Sequence, residues 1–325
     1  MHIDGLRVDA VSSMLVSNDL KATKLFLGNL NAVIHKHSAG AITIAEEMDF
    51  GFSKTTSNAS MGGLGFDLKW NACWMHHMLK YFGKNPNSRQ NNYSELIHAI
   101  EGDTWHKMVL ALSHDDVKDG KKSLLNKICG ADDDERYANL RSMLSFMMAI
   151  PGKKLNFMGN EIGVEEEWSD HLASSKGILN ADSAKKKRRR QIFKLVAALN
   201  KLYVEKEALY KKDNNSLDIV WLEKNDPNGS LVAYKRKNPK GPAITCLHNF
   251  AGNKPMEYTV PIDSNKFANP KEIFNSDSKE YGGQGRLNTN IQTTKVSTKF
   301  EHDKPVSYKV VVPPMSTVMI EESCT

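Results

Sequence analysis

A chain of 325 residues that is 40% apolar and 25% charged has material for one large α/β unit and a smaller one. Its net charge of +6 is spread along the sequence apart from one run, and Cys73, Cys129, Cys246 and Cys324 show no paired spacing, which argues against a disulfide framework or cysteine-zinc site and implies reduced thiols. No stretch approaches the roughly 18 uncharged apolar residues of a membrane span and the N-terminus has no signal-peptide pattern, so a cytoplasmic protein without metal or cofactor is expected.

Strand-like and helix-like segments alternate from Met1 to about Tyr210. The first strand, His2 to Val8, runs into Arg7-Val8-Asp9, and alternation along a strand puts Gly5, Arg7 and Asp9 on one face. The guanidinium then neighbours the carboxylate and keeps it ionised, as a carboxylate nucleophile requires; the same triplet also fits a structural ion pair. Asp19 to His37 has a helical pattern. Ala41 to Ala45 reads as a second strand ending at Glu46 and Glu47, and Gly63 to Leu68 as a third, before a helix through Trp74, Met78 and Tyr81. Lys107 to Leu112 is the fourth, ending at Ser113, His114 and Asp115. A helix over Tyr137 to Ala149, a fifth strand over Lys154 to Met158 and a helix over Ala184 to Val204 complete this part.

Such alternation implies parallel strands with helical crossovers, and polar residues gathered after the strands point to the carboxyl-terminal rim of a barrel or open sheet. After about Leu209 the segments become short and β-rich (SLDIVWLE, SLVAYKRK, AITCLHNF, MEYTVPI, YKVVVP, TVMIE), which predicts an all-β sandwich. The expected division is therefore 1–209 and 210–325. The basic run Ala184 to Gln191 resembles a nucleic-acid signal but leads into a periodic apolar pattern, so it is read as an exposed helix start. The acidic Ala131 to Glu135 lacks calcium-loop spacing and is read as a solvated loop.

Asp9, Glu46 and Asp115 each follow a strand. Three carboxylates on one rim suit glycosidic chemistry, with a nucleophile and a general acid flanking the scissile bond; each acid alone also fits a helix cap. The segments DGLRVDAVSSML, TIAEEMDF, GGLGFDLKWNACWMHHML, LSHDDVKDGKKSLL and PGKKLNFMGNEIG, in this order, resemble the glycogen branching enzymes of the α-amylase superfamily, glycoside hydrolase family 13. EIFNSDSKEYGG resembles that family's C-terminal sandwich, so the likeness covers essentially the whole chain.

The resemblance implies about the last five strands of a (β/α)8 barrel, a TIM barrel, followed by the sandwich. It also implies Asp9 as nucleophile, Glu46 as general acid/base, Asp115 as the transition-state-stabilising carboxylate, and Arg7 and His114 as substrate-site residues. Glu46 must carry a proton when it donates, so its carboxyl is expected to be raised by burial and by Asp9. Trp70, Trp74 and Met75 are candidates for walling an acceptor groove, and equally for helix core.

The implied activity is transfer of an α-1,4-glucan segment to a 6-hydroxyl with retention; an α-glucan hydrolase, a 4-α-glucanotransferase and a non-catalytic glucan-binding remnant are the alternatives. The resemblance also implies that an N-terminal sandwich and three barrel strands lie outside this sequence. Five strands do not close a barrel, so self-association or a polypeptide supplying the missing half is expected. Departures from the family pattern include His77 after Trp-Met-His and the run Ala173 to Gly177.

Overall fold

The computed structural model describes residues 3–16, 19–47, 54–101, 107–169, 183–211, 213, 219–224, 226, 230–238, 241–295 and 306–325. The run Ala173 to Gly177 lies outside the described residues. Five short strands, β1 (Gly5–Val8), β2 (Ile42–Ala45), β3 (Leu68–Trp70), β4 (Met108–Leu112) and β5 (Lys153–Asn156), form one parallel sheet in chain order. Val8 pairs with Ala45, Ala45 with Lys69, Trp70 with Val109, and Leu112 with Asn156, so all five carboxyl ends reach one rim.

Parallel pairing demands crossovers. Between β1 and β2, β3 and β4, and β4 and β5 they are supplied by α1 (Val11–Leu15), α2 (Leu20–His37), α3 (Ala72–Phe82), α4 (Tyr93–Glu101), α5 (Leu124–Lys127) and α6 (Asp133–Ala149); α7 (Ser183–Glu205) and α8 (Glu207–Tyr210) follow β5. The main helix starts are written in the sequence. Asp19 accepts from the Ala22 amide at 2.9 Å, Asn71 from Trp74 at 2.9 Å and Asp132 from Glu135 at 2.8 Å, each satisfying an otherwise orphaned amide.

The acidic run at Ala131 to Glu135 is thus the capped start of α6 rather than a loop. The third strand also differs: Gly63 to Asp67 is irregular backbone, and β3 begins only at Leu68. A Cβ on Gly63 would meet the Ser57 carbonyl at 2.1 Å and Gly65 has φ +78°, so this stretch is a close-packed bend whose Leu64 and Phe66 are buried beneath α2 with Leu27. Helix α4 has no counterpart among the elements expected from the sequence, and β5 starts one residue earlier and ends two residues earlier than its pattern suggests.

Beyond α8, an antiparallel five-stranded sheet runs in the order β10 (Phe267–Asn275), β13 (Ser316–Cys324), β8 (Ala243–Asn249), β7 (Leu231–Arg236), β6 (Ile219–Glu223). A three-stranded sheet, β11 (Thr293–Lys295), β12 (Val306–Val312) and β9 (Met256–Ile262), faces it. Side chains alternate between two destinations. Leu231, Ala233, Leu247, Val318 and Ile320 meet β9 and β12, while Val232, Tyr234, Ile244, Cys246 and Met319 join the helix core around α3, α6 and α7.

Helix α6 is buried over most of its length because α3, α5 and α7 pack on it and β8 and β13 lie against it. Its hydrophobic and small polar residues therefore have no single wet face. None of the four cysteines forms a disulfide. No helix among the described residues is long and apolar enough to cross a membrane.

Candidate active site

Alternation along the parallel strands sorts the rim into two sides. Val8, Ala45, Leu110 and Leu112 pack towards the helices, whereas Ile44, Leu68, Trp70, Val109, Ala111 and Leu155 form a small apolar floor on the opposite face. Arg7 belongs to the second face. Its guanidinium carbon stands 4.4 Å above the Trp70 ring centre, so the apolar floor also holds a cation through the ring's negative face.

From there Arg7 Nη2 reaches Asp9 Oδ1 at 2.7 Å and Glu46 Oε2 at 3.2 Å. One nitrogen thus contacts both carboxylates, and their oxygens lie no farther apart than those two distances together. That bound admits the roughly 5–5.5 Å separation at which one carboxylate attacks and the other transfers the proton. The two acids differ in access: the Asp9 side chain is 76% exposed and that of Glu46 only 11%.

Glu46 Oε2 also accepts from the Ala10 amide at 2.7 Å. Ala10 adopts the left-handed region (φ 48°, ψ 44°), a conformation costing an L-residue roughly 1–2 kcal/mol. The bend after β1 therefore does two things: it turns Asp9 outward and aims an amide at the second acid. Next in chain, Glu47 faces the other way. It is buried, accepts from Thr55 Oγ1 at 2.6 Å and lies 3.5 Å from Lys69 Nζ, a charge pair beneath the rim that sequence reasoning did not single out.

His114 and Asp115 stand after β4, on the same rim, with no direct contact to Asp9 or Glu46 among the described residues. His114 Nε2 is 3.2 Å from Asp115 Oδ1, and Ser113 Oγ accepts from the Asp115 amide at 3.2 Å, fixing the tight turn. Beside them Asp116 is a further acid. Burial raises its carboxyl above the usual range, opposed by Lys127, and Oδ2 has no hydrogen-bond partner among the described residues. Phe157, after β5, lies 5.9 Å from the His114 ring and 5.5 Å from the Trp168 ring, giving a half-buried aromatic edge. The sequence signal was present in both aromatics, but their meeting depends on a loop that brings Trp168 back to the Val117 carbonyl at 2.9 Å.

The two tryptophans separate. Trp70 is at the floor of the site; Trp74 is fully buried among Met78, Tyr81 and the rest of the helix core. Trp74 therefore has no surface with which to wall a groove, because α3 turns that face towards α4 and α6. No group of three or more potential metal ligands occurs among the described residues.

Residues 221–323 match the family described as alpha amylase, C-terminal all-beta domain. The chain is 34% identical to the 1,4-alpha-glucan branching enzyme GlgB of Protochlamydia amoebophila, with 99% of this chain and 45% of that protein covered. It is 35% identical to the GlgB of Mesorhizobium japonicum, covering 98% and 44% respectively. The chain thus spans just under half the length of the curated relatives it matches.

Solved structures of the same fold include an alpha-amylase from Geobacillus thermoleovorans (TM-score 0.62, 13% identity, 98% of this chain and 60% of that one). A debranching enzyme from Nostoc punctiforme is another (TM-score 0.60, 14% identity, 98% and 58%). A parallel half-barrel joined to a β-rich unit, with this likeness along its length, is similar to the matching part of the 1,4-alpha-glucan branching enzymes, and its residues 221–323 carry the C-terminal all-beta domain of the alpha-amylase family.

Proposed function

We propose that this chain carries the catalytic acids of a 1,4-alpha-glucan branching enzyme. Asp9 attacks the anomeric carbon of an α-1,4-linked glucan, the glycosidic C–O bond breaks, and the Glu46 proton passes to the leaving oxygen. A covalent glucosyl-enzyme results. Glu46, now ionised, takes the proton of an acceptor 6-hydroxyl, whose oxygen displaces Asp9 and leaves an α-1,6 branch.

Asp115 stabilises the oxocarbenium-like charge, and His114 hydrogen-bonds sugar hydroxyls beside it. Arg7 positions both reacting carboxylates, and Trp70 supports Arg7 from below rather than touching sugar. The observation that carries this reading is the shared Arg7 contact, which ties the exposed Asp9 and the shielded Glu46 into one pair at a common rim. Exposure suits the attacking group and shielding suits the proton carrier.

The open parallel sheet adds a second element. β1 pairs only with β2 and β5 only with β4, so two edges remain unpaired among the described residues. A closed barrel needs more strands. We therefore also propose that a polypeptide supplying the remaining strands completes the site, that the units divide near 209 and 210, and that the protein works in the cytoplasm.

Branching on amylose, followed as loss of iodine colour and appearance of α-1,6 linkages, tests the reading with Asp9→Asn beside the unaltered chain. Loss of at least about 10⁴-fold in rate is expected, on the scale of removing a nucleophile. Equal residual branching in both proteins overturns the assignment. Release of short glucans without α-1,6 linkages favours the hydrolase or 4-α-glucanotransferase alternative.

A further inference from the structure

The basic run at the start of α7 plays no part in the reaction above. Lys186 and Arg190 follow one another at a four-residue interval on an exposed helix face, with Lys187 beside them. Opposite stand Lys279, in the turn after β10, and Arg286. Between these elements lies a cleft of about 1070 Å³, which shares Lys187, Gln191 and Lys279 with an adjoining basin of about 440 Å³.

The cleft floor is formed by Arg141 of α6, which is 8% exposed. Its Nη1 lies against Gly282, where a Cβ would approach to 3.4 Å. Among the described residues Arg141 makes neither a hydrogen bond nor an ion pair. Burial depresses the guanidinium to about 10, against the pull of Asp277 and Asp134, and it stays charged at neutral pH. A buried charge without a hydrogen-bond partner is costly, since the attraction of Asp277 and Asp134 replaces only part of the lost hydration.

The nearby acids are already engaged. Asp277 accepts from the amides of Gln284 at 3.0 Å and Arg286 at 3.1 Å, and Asp134 is 2.9 Å from Arg188. Asp132 caps α6, Glu135 accepts from the Ala131 amide, and Glu280 is 3.3 Å from Lys194. By contrast Arg141, Lys186, Lys187, Arg190, Lys279 and Arg286 have no ion-pair partner among the described residues. Across the open cleft and the basin beside it the lining cations outnumber the acids by three.

We propose that this cleft binds a phosphate monoester, with the phosphoryl oxygens on Arg141 and the lysines of α7 and the facing turn around it. A guanidinium offers paired donors that match phosphoryl oxygens, and a dianion satisfies several cations at once. The position of Arg141 at the floor selects a small group that can enter; a nucleic-acid backbone would meet only the outer lysines. Two sources share this chemistry, a free sugar phosphate and a phosphate carried on a glucan chain. The inference stands independently of the acids assigned to catalysis.

Calorimetric titration of the full 325-residue chain at low salt tests it, with inorganic phosphate, glucose 6-phosphate, a singly phosphorylated maltoheptaose and unmodified maltoheptaose as probes. At least one phosphorylated probe is expected to bind with Kd below about 1 mM, and Arg141→Met to weaken it about tenfold or more, a loss of about 1.4 kcal/mol. Because Arg141 is buried, Lys187→Gln with Lys279→Gln on the exposed rim is the second variant, expected to weaken binding about threefold and to flatten its salt dependence. Tighter binding of glucose 6-phosphate than of inorganic phosphate identifies a sugar ester, and tightest binding of phosphorylated maltoheptaose identifies a glucan-borne group. The proposal is overturned if folded protein binds none of the phosphates below about 10 mM, if neither variant changes the affinity, or if a single-stranded oligonucleotide binds more tightly than every phosphate.

Discussion

The parallel sheet and the antiparallel sheet of this molecule treat their edges and faces differently. In the β-rich half, β7 and β8 are buried along their whole lengths, with one face against β9 and β12 and the other against α6. In the parallel half, β1 has one neighbour among the described residues, and Leu6 and Ile42 remain exposed beside it. The reacting groups divide along the same line. Arg7 and Asp9 sit on or just after the least supported strand, whereas His114 and Asp115 follow β4, all five of whose residues are buried. Half of the rim is thus held by finished packing, and half by a strand paired on one edge among the described residues.

The two halves nevertheless share a core, and breaking it should give the largest effect on stability. Phe146 of α6 is fully buried, with its ring centre 4.8 Å from His248 and 5.3 Å from Phe250 of the β-rich half, both edge-on. Phe146→Ala is expected to cost about 3–5 kcal/mol, measured by urea unfolding with circular dichroism. One cooperative transition moved as a whole supports a joint core. Two transitions, with only one displaced, would show that the halves unfold separately and that this contact does not unite them.

Legibility in the sequence followed the same physical division. Strands β2 and β4 were readable because their apolar runs end in polar residues; β3 was not, since only three residues pair and the preceding apolar run bends through Gly63 and Gly65. The helix caps at Asp19 and Asn71 are local chemistry, whereas the burial of α6 on both sides comes from the distant β8–β13 contact. The Arg7–Asp9 contact lies two residues apart in an extended strand and was visible there. Its extension to Glu46 joins strands 36 or more residues apart, and the Ala10 amide that holds Glu46 needs a backbone angle no residue pattern announced. Trp74 illustrates the opposite limit: its type suited a sugar surface and helix core equally, and the facing of α3 places it in the core.

A smaller effect comes from the polar centre of the shared core. His248 is fully buried, within 2.8 Å of Thr317 Oγ1 and 3.0 Å of Tyr234 OH, and burial lowers its pKa to about 3. An unfolded histidine titrates near 6.5. Because the folded value is the lower one, the unfolded chain binds the extra proton between those limits. The contribution of neutral His248 is therefore whole above about 6.5 and is lost as the pH falls towards 3. Unfolding free energies of the unaltered chain should drop by up to about 1.4 kcal/mol per pH unit more than those of His248→Gln between pH 6 and 5. Parallel slopes would mean that His248 takes up its proton without unfolding and that water reaches the junction.

The smallest change in stability is expected at the open edge, where it separates packing from association. On α2, Leu25 and Phe26 are 64% and 62% exposed, near exposed Leu20 and Val33. Neither side chain has much native burial to lose, so Leu25→Lys with Phe26→Lys should leave the unfolding free energy within about 0.5 kcal/mol. The charges would act on any surface laid over this helix, because a lysine buried there must give up its hydration. Light scattering and gel filtration are expected to show less self-association than in the unaltered chain, at unchanged stability. A large loss of stability would instead place these residues inside a packed core and close the contrast between the two halves, whereas unchanged association with unchanged stability would move the sticky surface from α2 to the unpaired strands themselves.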